Sequence, residues 1–409
     1  MSWPRKKLEL LAADEPYSFV GGPFGSKLTS RDYSDQGIPV IRGSNLNNGR
    51  FLDMNEFVYV SDSKVRKDLS GNLAKPGDLV FTQRGTLGQV AIIPKEGISD
   101  RYVVSQSQMK LTVDDTKADQ FFLYYYFSSR EVIDRITNFT SSSGVPHINL
   151  TVLRNFEIPV PPLEIQKSIA SILSAYDDLI ENNRRRIQLL EQAARLLYRE
   201  WFVRLRFPGH EHVKIKDGVP EGWEKKTLFD LCKEVRESVK PDAIDLNTPY
   251  IGLEHMPRRS ISLSEWGVAE QVTSSKHRFR DGDVLFGKIR PYFHKAGVAF
   301  VDGITSSDAI VIRPNDPALH GLVLMTVSSD AFVAVAAKTM REGSKMPRAD
   351  WKQMQSYPIL HPSIEILYSF ENLVRPIIDQ LKSLTFINKK LRSARDLLLP
   401  RLMNGEIAI

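Results

Sequence analysis

The chain has 409 residues, of which 42% are hydrophobic and 25% are charged, as is ordinary for a folded protein of two to three domains. Its formal net charge of +6 at pH 7 favours a polyanionic partner only weakly. The single cysteine, Cys232, excludes an internal disulfide framework and a multi-cysteine zinc site. No apolar run reaches the roughly 18 residues needed to cross a bilayer, and the N-terminus is not typical of a secretory signal. We therefore expect a cytoplasmic protein.

The first elements along the chain are short strands. Ile38–Ile41, Leu79–Thr82 and residues 90–93 are apolar, rich in β-branched side chains and bounded by Gly, Pro or Asn. Residues 119–138 follow with aromatic and aliphatic side chains at helical spacing, which predicts that the segment is helical. This first part of the chain is therefore expected to be a β-rich globular domain.

A long helical pattern follows from residue 163 to residue 207. Pro161 and Pro162 provide a non-helical entry, and Pro208 with Gly209 provides a stop. Apolar side chains recur every three or four residues between them, as in a coiled-coil seam. The predicted seam residues are Ile172, Tyr176, Leu179, Ile187, Leu190 and Leu197.

The chain then repeats itself, with about 200 residues between the copies. The repeated blocks are the openings at Trp3 and Trp223, the strand-like segments from Ile38 and Thr248, the Gly-Asp blocks from Gly77 and Gly282, the serine segments from Ser105 and Ser306, and the proline-containing segments around Pro146 and Pro347. Five blocks in one order indicate two copies of a whole domain with its tail, because solenoid repeats are far shorter.

The second copy also ends in a long helical pattern, which begins after Pro362. Its predicted seam residues are Phe370, Val374, Ile377, Leu381, Leu384 and Leu391. Pro400 is expected to kink this helix or to end it early. Both patterns are much longer than a typical globular helix, so we expect the two helices to pack on each other along about 60 Å.

These observations predict an α+β fold with an approximate two-fold internal repeat. Two β-rich globular domains, at 1–160 and 208–361, are separated by two antiparallel coiled-coil helices, at 161–207 and 362–409. Two unlike heads on a stiff spacer suit a ligand with two recognition elements at a fixed distance, such as double-stranded DNA. Because the heads differ in sequence, the target should be asymmetric.

Polar and basic loop segments of both heads are the candidate DNA contacts. Arg pairs bidentately with guanine, and Asn or Gln pairs with adenine. The candidates in the first head are Arg42, Ser44, Asn45, Asn47, Asn48, Gln83, Arg84 and Thr86, with Arg50 in the same polar stretch. The candidates in the second head are Arg258, Arg259, Lys276, Lys288, Arg290, Tyr292, His294 and Lys295, among further basic residues. Each single side chain has the alternative of a solvated surface position.

Two other functions stay open from the residues. The first is a coiled-coil scaffold whose heads bind protein and which has no specific DNA binding. The second is a nuclease or methyltransferase, for which only incomplete patterns occur. Gly282, Gly287 and Lys288 have phosphate-loop spacing, but Ile289 stands where that motif needs Ser or Thr. His210 and His212 lack further metal ligands. We therefore predict no catalytic, cofactor-binding or metal site.

The tails resemble a known family. FEIPVPPLEIQKSIASIL from Phe156 and the segment DDLIENNRRRIQLLEQAARLLYREWF resemble the central conserved region of type I restriction-modification specificity subunits. NKKLRSARDLLLPRLMNGEI from Asn388 resembles their distal conserved region, and the openings WPRKKLELL and GWEKKTLFDLC resemble their target recognition domains. The first opening lacks the Pro-Glu-Gly lead that precedes Trp223, so its start is expected to be truncated or divergent.

The resemblance implies a division of labour. Each target recognition domain would read one half of a bipartite site, and the helices would set the spacing. Two modification subunits, which use S-adenosylmethionine to methylate adenine, would dock on the helices and the heads. A restriction subunit that uses ATP and magnesium is an optional further partner. This chain itself would bind none of these cofactors and would be the non-catalytic DNA-recognition subunit.

Overall fold

The computed structural model describes residues 3–46, 49–139, 146–340, 346–407 and 409. The chain forms two compact units, one made of residues 1–180 with 390–409 and one made of residues 181–389. Their boundaries fall within the two long helices. The four-part division at 160/161, 207/208 and 361/362 stays a prediction.

The described residues of the first unit form three sheets. A four-stranded sheet has the order Phe19–Gly21, Gln108–Leu111, Leu79–Thr82, Val90–Ile92. A five-stranded sheet has the order Tyr33–Ser34, Val58–Val60, Ile38–Ile41, Tyr102–Val104, Leu73–Ala74. Arg5–Lys7 pairs antiparallel with Glu157–Pro159. The strands predicted at Ile38–Ile41 and Leu79–Thr82 are confirmed, and the third ends one residue earlier than predicted.

The helical segment predicted at residues 119–138 is confirmed and is divided in two. It forms the helices Gln120–Ser128 and Arg130–Asn138. Ser129 between them has extended backbone (φ −71°, ψ 141°), and its hydroxyl donates to the Tyr126 carbonyl at 2.8 Å. Apolar spacing does not reveal this break, because both helices bury their apolar side chains in one core. A short helix, Leu150–Arg154, precedes the closing strand.

The second unit repeats this plan. One five-stranded sheet has the order Cys232–Val235, Ala309–Pro314, Val284–Gly287, Ala296–Ala299, Ser262–Leu263, and another has the order Ser238–Val239, Lys276–Phe279, Gly303–Thr305, Pro249–Ile251, Gly267–Val268. Glu224–Thr227 pairs with Pro358–His361, and Ile215–Lys216 pairs with Val219–Pro220. The helices are Leu228–Leu231, His320–Val327, Asp330–Lys338 and Trp351–Met354.

The repeat extends to strand direction. In the first unit Ile38–Ile41 runs parallel to Tyr102–Val104, and in the second Pro249–Ile251 runs parallel to Gly303–Thr305. The sheets are otherwise mainly antiparallel, so each unit holds a mixed sheet with this parallel pair inside it. The predicted α+β class and the internal duplication are therefore confirmed.

Two long helices complete the units. The central helix, Leu163–Tyr198, continues into a π-helical turn at Arg199–Val203, and the C-terminal helix spans Ile364–Met403. The C-terminal helix continues past Pro400 for another three residues. The central helix ends before Pro208, and Leu205, between the helix and this proline, adopts a positive φ of 56°.

The two helices are antiparallel. In the second unit Phe202 contacts Phe370 with ring centroids 4.8 Å apart, and Asn183 contacts Asn388. Residue numbers therefore increase along one helix in the direction in which they decrease along the other. In the first unit Arg395 of the C-terminal helix contacts Asp177 of the central helix at 2.5 Å.

Candidate DNA interface

A short turn in the first unit presents the candidates Gln83, Arg84 and Thr86. It follows the strand Leu79–Thr82 and is fixed by backbone hydrogen bonds to residues 146–148. The Gln83 carbonyl accepts from the Ile148 amide at 3.0 Å, and the Gly85 amide donates to the Pro146 carbonyl at 3.2 Å. Arg84 and Thr86 are exposed, and Gln83 is half-buried. The frame therefore turns Arg84 and Thr86 towards solvent.

The second unit builds its turn on the same frame. The Lys288 carbonyl accepts from the Ala349 amide at 2.8 Å, and the Arg290 amide donates to the Pro347 carbonyl at 3.0 Å. Arg290 thus occupies the position that Gly85 holds in the first unit. The equivalence confirms that the Gly-Asp blocks lead to matching turns, on which the two units place different side chains.

An aromatic and basic cluster occupies the second turn. Phe293 lies beneath two guanidinium groups: Arg258 is 4.2 Å from its ring centroid and Arg290 is 6.0 Å from it. Tyr292 packs edge-on against Phe293 at 5.0 Å between centroids, and 53% of Tyr292 is exposed. We call Arg258, Arg290, Tyr292 and Phe293 the second-turn cluster. It offers two guanidinium groups and a ring, groups that suit base edges and phosphates.

Asn45 is not available to a ligand. Only 1% of it is exposed, its Oδ1 accepts from the Arg42 amide at 3.0 Å, and its Nδ2 donates to the carbonyls of Asp53 and Asn55 at 3.2 Å. The prediction that Asn45 contacts bases is wrong, because its amide already satisfies the buried backbone of its own loop.

The other candidates of the first polar stretch differ in accessibility. Ser44 is exposed, whereas Arg42 is half-buried and donates to the Glu56 carbonyl at 3.2 Å. Arg50 forms an ion pair with Asp178 of the central helix and lies 4.8 Å from the Phe51 ring centroid, so it anchors the loop. Asn47 and Asn48 lie outside the described residues.

His294 is also a structural residue. It is 3% exposed, and its Nε2 donates to the Ser328 carbonyl at 2.8 Å. Burial lowers the pKa of its imidazole, with further lowering by Arg195 and Arg259. The prediction that His294 contacts DNA is wrong, because the ring is enclosed beneath the second turn.

The remaining basic candidates of the second unit are partly engaged. The half-buried Lys295 donates to the Leu253 carbonyl at 2.5 Å, and burial lowers the pKa of its ammonium group. Lys276 donates to Ser274 Oγ at 2.7 Å. Arg259 is exposed and pairs with Asp330 at 2.9 Å. Lys288 is half-buried.

Two side chains of the central helix hold the loops of the second unit, and sequence reasoning missed both. The buried Glu191 carboxylate accepts from Ser260 Oγ at 2.6 Å, from Ser262 Oγ at 2.7 Å and from the Ser262 amide at 3.1 Å. Arg195 donates to the carbonyls of Ser328 at 2.9 Å and Arg259 at 3.1 Å. In the sequence only the four-residue spacing of Glu191 and Arg195 places them on one helix face. That spacing does not show whether the face binds a loop or lies in solvent.

The Gly-Asp blocks owe their repetition to a packing role. Asp283 is buried, accepts from the Arg280 amide at 2.7 Å and pairs bidentately with Arg313 at 2.7 Å. Asp78 is buried likewise and accepts from the Lys75 amide at 3.0 Å and from Lys110 at 3.2 Å. In both units the aspartate closes the turn that precedes the central strand of a sheet.

The predicted seam positions differ in how far they are buried. Phe370, Val374, Leu381 and Leu384 are buried. The half-buried seam positions are Tyr176, Ile187, Leu190, Leu197, Ile377 and Leu391. The exposed fractions of Ile172 and Leu179 are 37% and 52%, so their assignment to the seam is wrong. Leu173 and Ile180, the next residues along the helix, are buried instead.

No group of three or more His, Cys, Asp or Glu side chains that could hold a metal ion occurs in the described ranges. Within the same residues no single helix has the length and hydropathy to cross a membrane. One sharply bent pair, Pro317–Val327 with Asp330–Lys338, meets that criterion jointly. Its segment His320–Val327 is buried throughout.

Comparison with known proteins shows what the chain is similar to. Residues 25–192 match the type I restriction modification DNA specificity domain. The chain is 23% identical to the type I restriction enzyme MjaIX specificity subunit of Methanocaldococcus jannaschii, over 93% of this chain and 89% of that protein. It is 24% identical to the HindI specificity subunit of Haemophilus influenzae, over 88% and 94%. The chain is thus similar, over most of its length, to specificity subunits of type I restriction-modification systems.

A solved specificity subunit has a similar fold. The S subunit from M. genitalium superposes with a TM-score of 0.57 at 14% identity, covering 98% of this chain and 96% of that one. The family model is that of a DNA specificity domain, and the matched proteins are specificity subunits. The predicted resemblance to specificity subunits is therefore confirmed.

Proposed function

We propose that each β-rich domain of this specificity subunit reads one half of an asymmetric, bipartite site in double-stranded DNA. The observation that supports the proposal most directly is the pair of matching turns. One hydrogen-bond frame carries Arg84, Gly85 and Thr86 in the first unit and Ile289, Arg290 and Pro291 in the second. A shared frame with different side chains is what two half-sites of different sequence require.

The partners proposed for this chain are two DNA methyltransferase subunits that dock on the helices and the heads, with a restriction subunit as an optional addition. A net charge of +6 is modest for a protein that holds DNA alone, so tight binding should need the methyltransferase partners. The complex would work in the cytoplasm, with S-adenosylmethionine bound by the modification subunits and ATP with magnesium by the restriction subunit.

A domain exchange tests the proposal. Residues 1–160 are replaced by the corresponding domain of another specificity subunit, and the methylated motif in cells that express the complex is read by methylation-sensitive sequencing. One half of the motif should change while residues 208–361 keep the other half. If both halves or neither half changed, independent reading by the two domains would be refuted.

Salt dependence separates this function from a protein-binding scaffold. Sequence-specific binding of the complex to duplex DNA should weaken steeply between 50 and 200 mM salt, because each neutralised phosphate releases counterions. A scaffold would show equal, weak binding to all duplexes. The comparison uses one duplex with the methylated motif and one with the same composition in scrambled order.

A further inference from the structure

The two equivalent turns differ at one backbone position that favours glycine. Gly85 has a φ of 105°, and Arg290, on the same hydrogen-bond frame, has a φ of 48°. A side chain with a Cβ atom is disfavoured in this left-handed region. A Cβ atom at Gly85 would have no heavy atom within 4 Å beyond the adjacent residues. The backbone conformation, rather than lack of space, therefore favours glycine here.

The second turn holds a further residue in the same region. His294 has a φ of 55° and closes the short helical turn Pro291–Phe293. It is held by its own hydrogen bond to the Ser328 carbonyl, and Arg195 of the central helix donates to that same oxygen. The surrounding structure therefore fixes an unfavourable backbone, as is common where a loop presents functional side chains.

The side chains on this turn point to a ligand with a polar, planar edge. Arg290 and Arg258 approach the same Phe293 ring, at distances where a guanidinium is attracted to the face of an aromatic ring. Both arginines are exposed. A guanidinium held in one plane can donate two parallel hydrogen bonds, the pattern by which arginine pairs with N7 and O6 of guanine.

Resting on the proposed function, we propose that Arg290 is a specificity-determining residue that reads a guanine in the half-site of the second domain. The left-handed backbone aims its guanidinium, and Phe293 and His294 are positioning residues. The first domain keeps glycine at this position and must read its half-site through other side chains, among which Arg84 and Thr86 lie on the equivalent turn.

Glycine substitution separates a reading role from a structural one. Arg290→Gly places the preferred residue in a left-handed backbone, so the unfolding temperature of the chain should stay the same or rise. The complex with its modification subunits should nevertheless lose discrimination by about 5- to 150-fold at one base pair of the second half-site. Arg278→Ala is the matched control: it removes an equal charge from an exposed strand position of the same unit.

The binding probes are the duplex with the methylated motif and single-base variants of its second half, measured by fluorescence anisotropy. Arg290→Lys keeps the positive charge but lacks the planar pair of N–H donors of a guanidinium. It should therefore lose the same discrimination, while the dependence of binding affinity on salt concentration stays unchanged. If Arg290→Gly binds all duplexes as Arg278→Ala does, or if it lowers the unfolding temperature, the inference is overturned. If the wild-type complex itself fails to discriminate among the duplexes, the proposed function fails instead.

Discussion

Asn183 and Asn388 face each other across the antiparallel helix pair. The side-chain amide of Asn183 donates to Asn388 Oδ1 at 2.9 Å, and the exposed fractions of the two residues are 7% and 5%. A buried polar pair in a coiled-coil seam lowers stability relative to leucine but specifies the register of the helices. Here the pair ties one position of the central helix to one position of the C-terminal helix.

Removal of one asparagine should leave the other amide buried without a partner. Asn183→Leu and Asn388→Leu should each lower the free energy of unfolding by about 1–3 kcal/mol. The double variant should recover most of that loss, because both polar groups are gone. Chemical denaturation of the four proteins measures the coupling energy, and Asn182→Leu, at an exposed neighbouring position, is the control. Simple additivity of the two losses would contradict the pairing.

Paired insertions should alter the distance between half-sites. Seven residues inserted after Asn183 and seven after Asn388 add about two turns to each helix and preserve the heptad repeat. At 1.5 Å per residue the pair lengthens by about 10 Å, or about three base pairs of duplex. Sequencing of the methylated motif should show a wider gap between unchanged halves. An unchanged gap would refute the proposal that the helices set the spacing.

Glu191→Ala should loosen the loop that carries Ser260 and Ser262. The substitution removes three hydrogen bonds to a buried carboxylate, so the free energy of unfolding should fall by about 2–4 kcal/mol. Thermal denaturation measures the loss, and Gln188→Ala at an exposed position of the same helix serves as the comparison. If the complex reads its first half-site normally but its second half-site poorly, the anchoring role is supported. Equal unfolding temperatures of Glu191→Ala and Gln188→Ala would refute the anchoring role.

The second unit should lose stability on mild acidification. His320 is buried, its Nε2 donates to the Gly282 carbonyl at 2.7 Å, and burial, followed by the charge of Arg375, lowers the pKa of its ring below 6.5. Below pH 6.5 the unfolded chain therefore binds a proton that the folded chain does not, so stability falls as the pH drops from 6.5 towards the lowered pKa.

His320→Gln removes this titration and keeps a donor for the Gly282 carbonyl. The fall in unfolding temperature between pH 7.5 and 5.5 should thus be smaller in His320→Gln than in the wild-type chain. His212→Gln, at an exposed position, should leave that fall unchanged. An identical pH dependence of the wild-type chain and His320→Gln would contradict the assignment.

The sequence by itself determined the duplication, three strands of the first unit and the two long helices. These follow from local patterns: a period of two or of 3.6 residues, proline boundaries, and the order of blocks such as those at Gly77 and Gly282. The equivalence of residues 146–148 and 347–349 was visible in the same way, but its consequence was not. Only the backbone hydrogen bonds show that these segments frame the turns at Gly85 and Arg290.

Tertiary structure alone decided what each polar or apolar side chain does. Helical periodicity marks an apolar stripe but does not separate Ile172 from Leu173 or Leu179 from Ile180, because adjacent residues lie only about 100° apart on the helix and the partner selects one of them. Asn45 and His294 are residue types that can contact DNA, yet both are buried and bonded to backbone carbonyls. Asn45 donates to Asp53 and Asn55 of its own loop, and His294 donates to Ser328 of another segment. The local sequence sets which groups a loop carries; burial in the folded chain decides which of those groups remain free to meet a ligand.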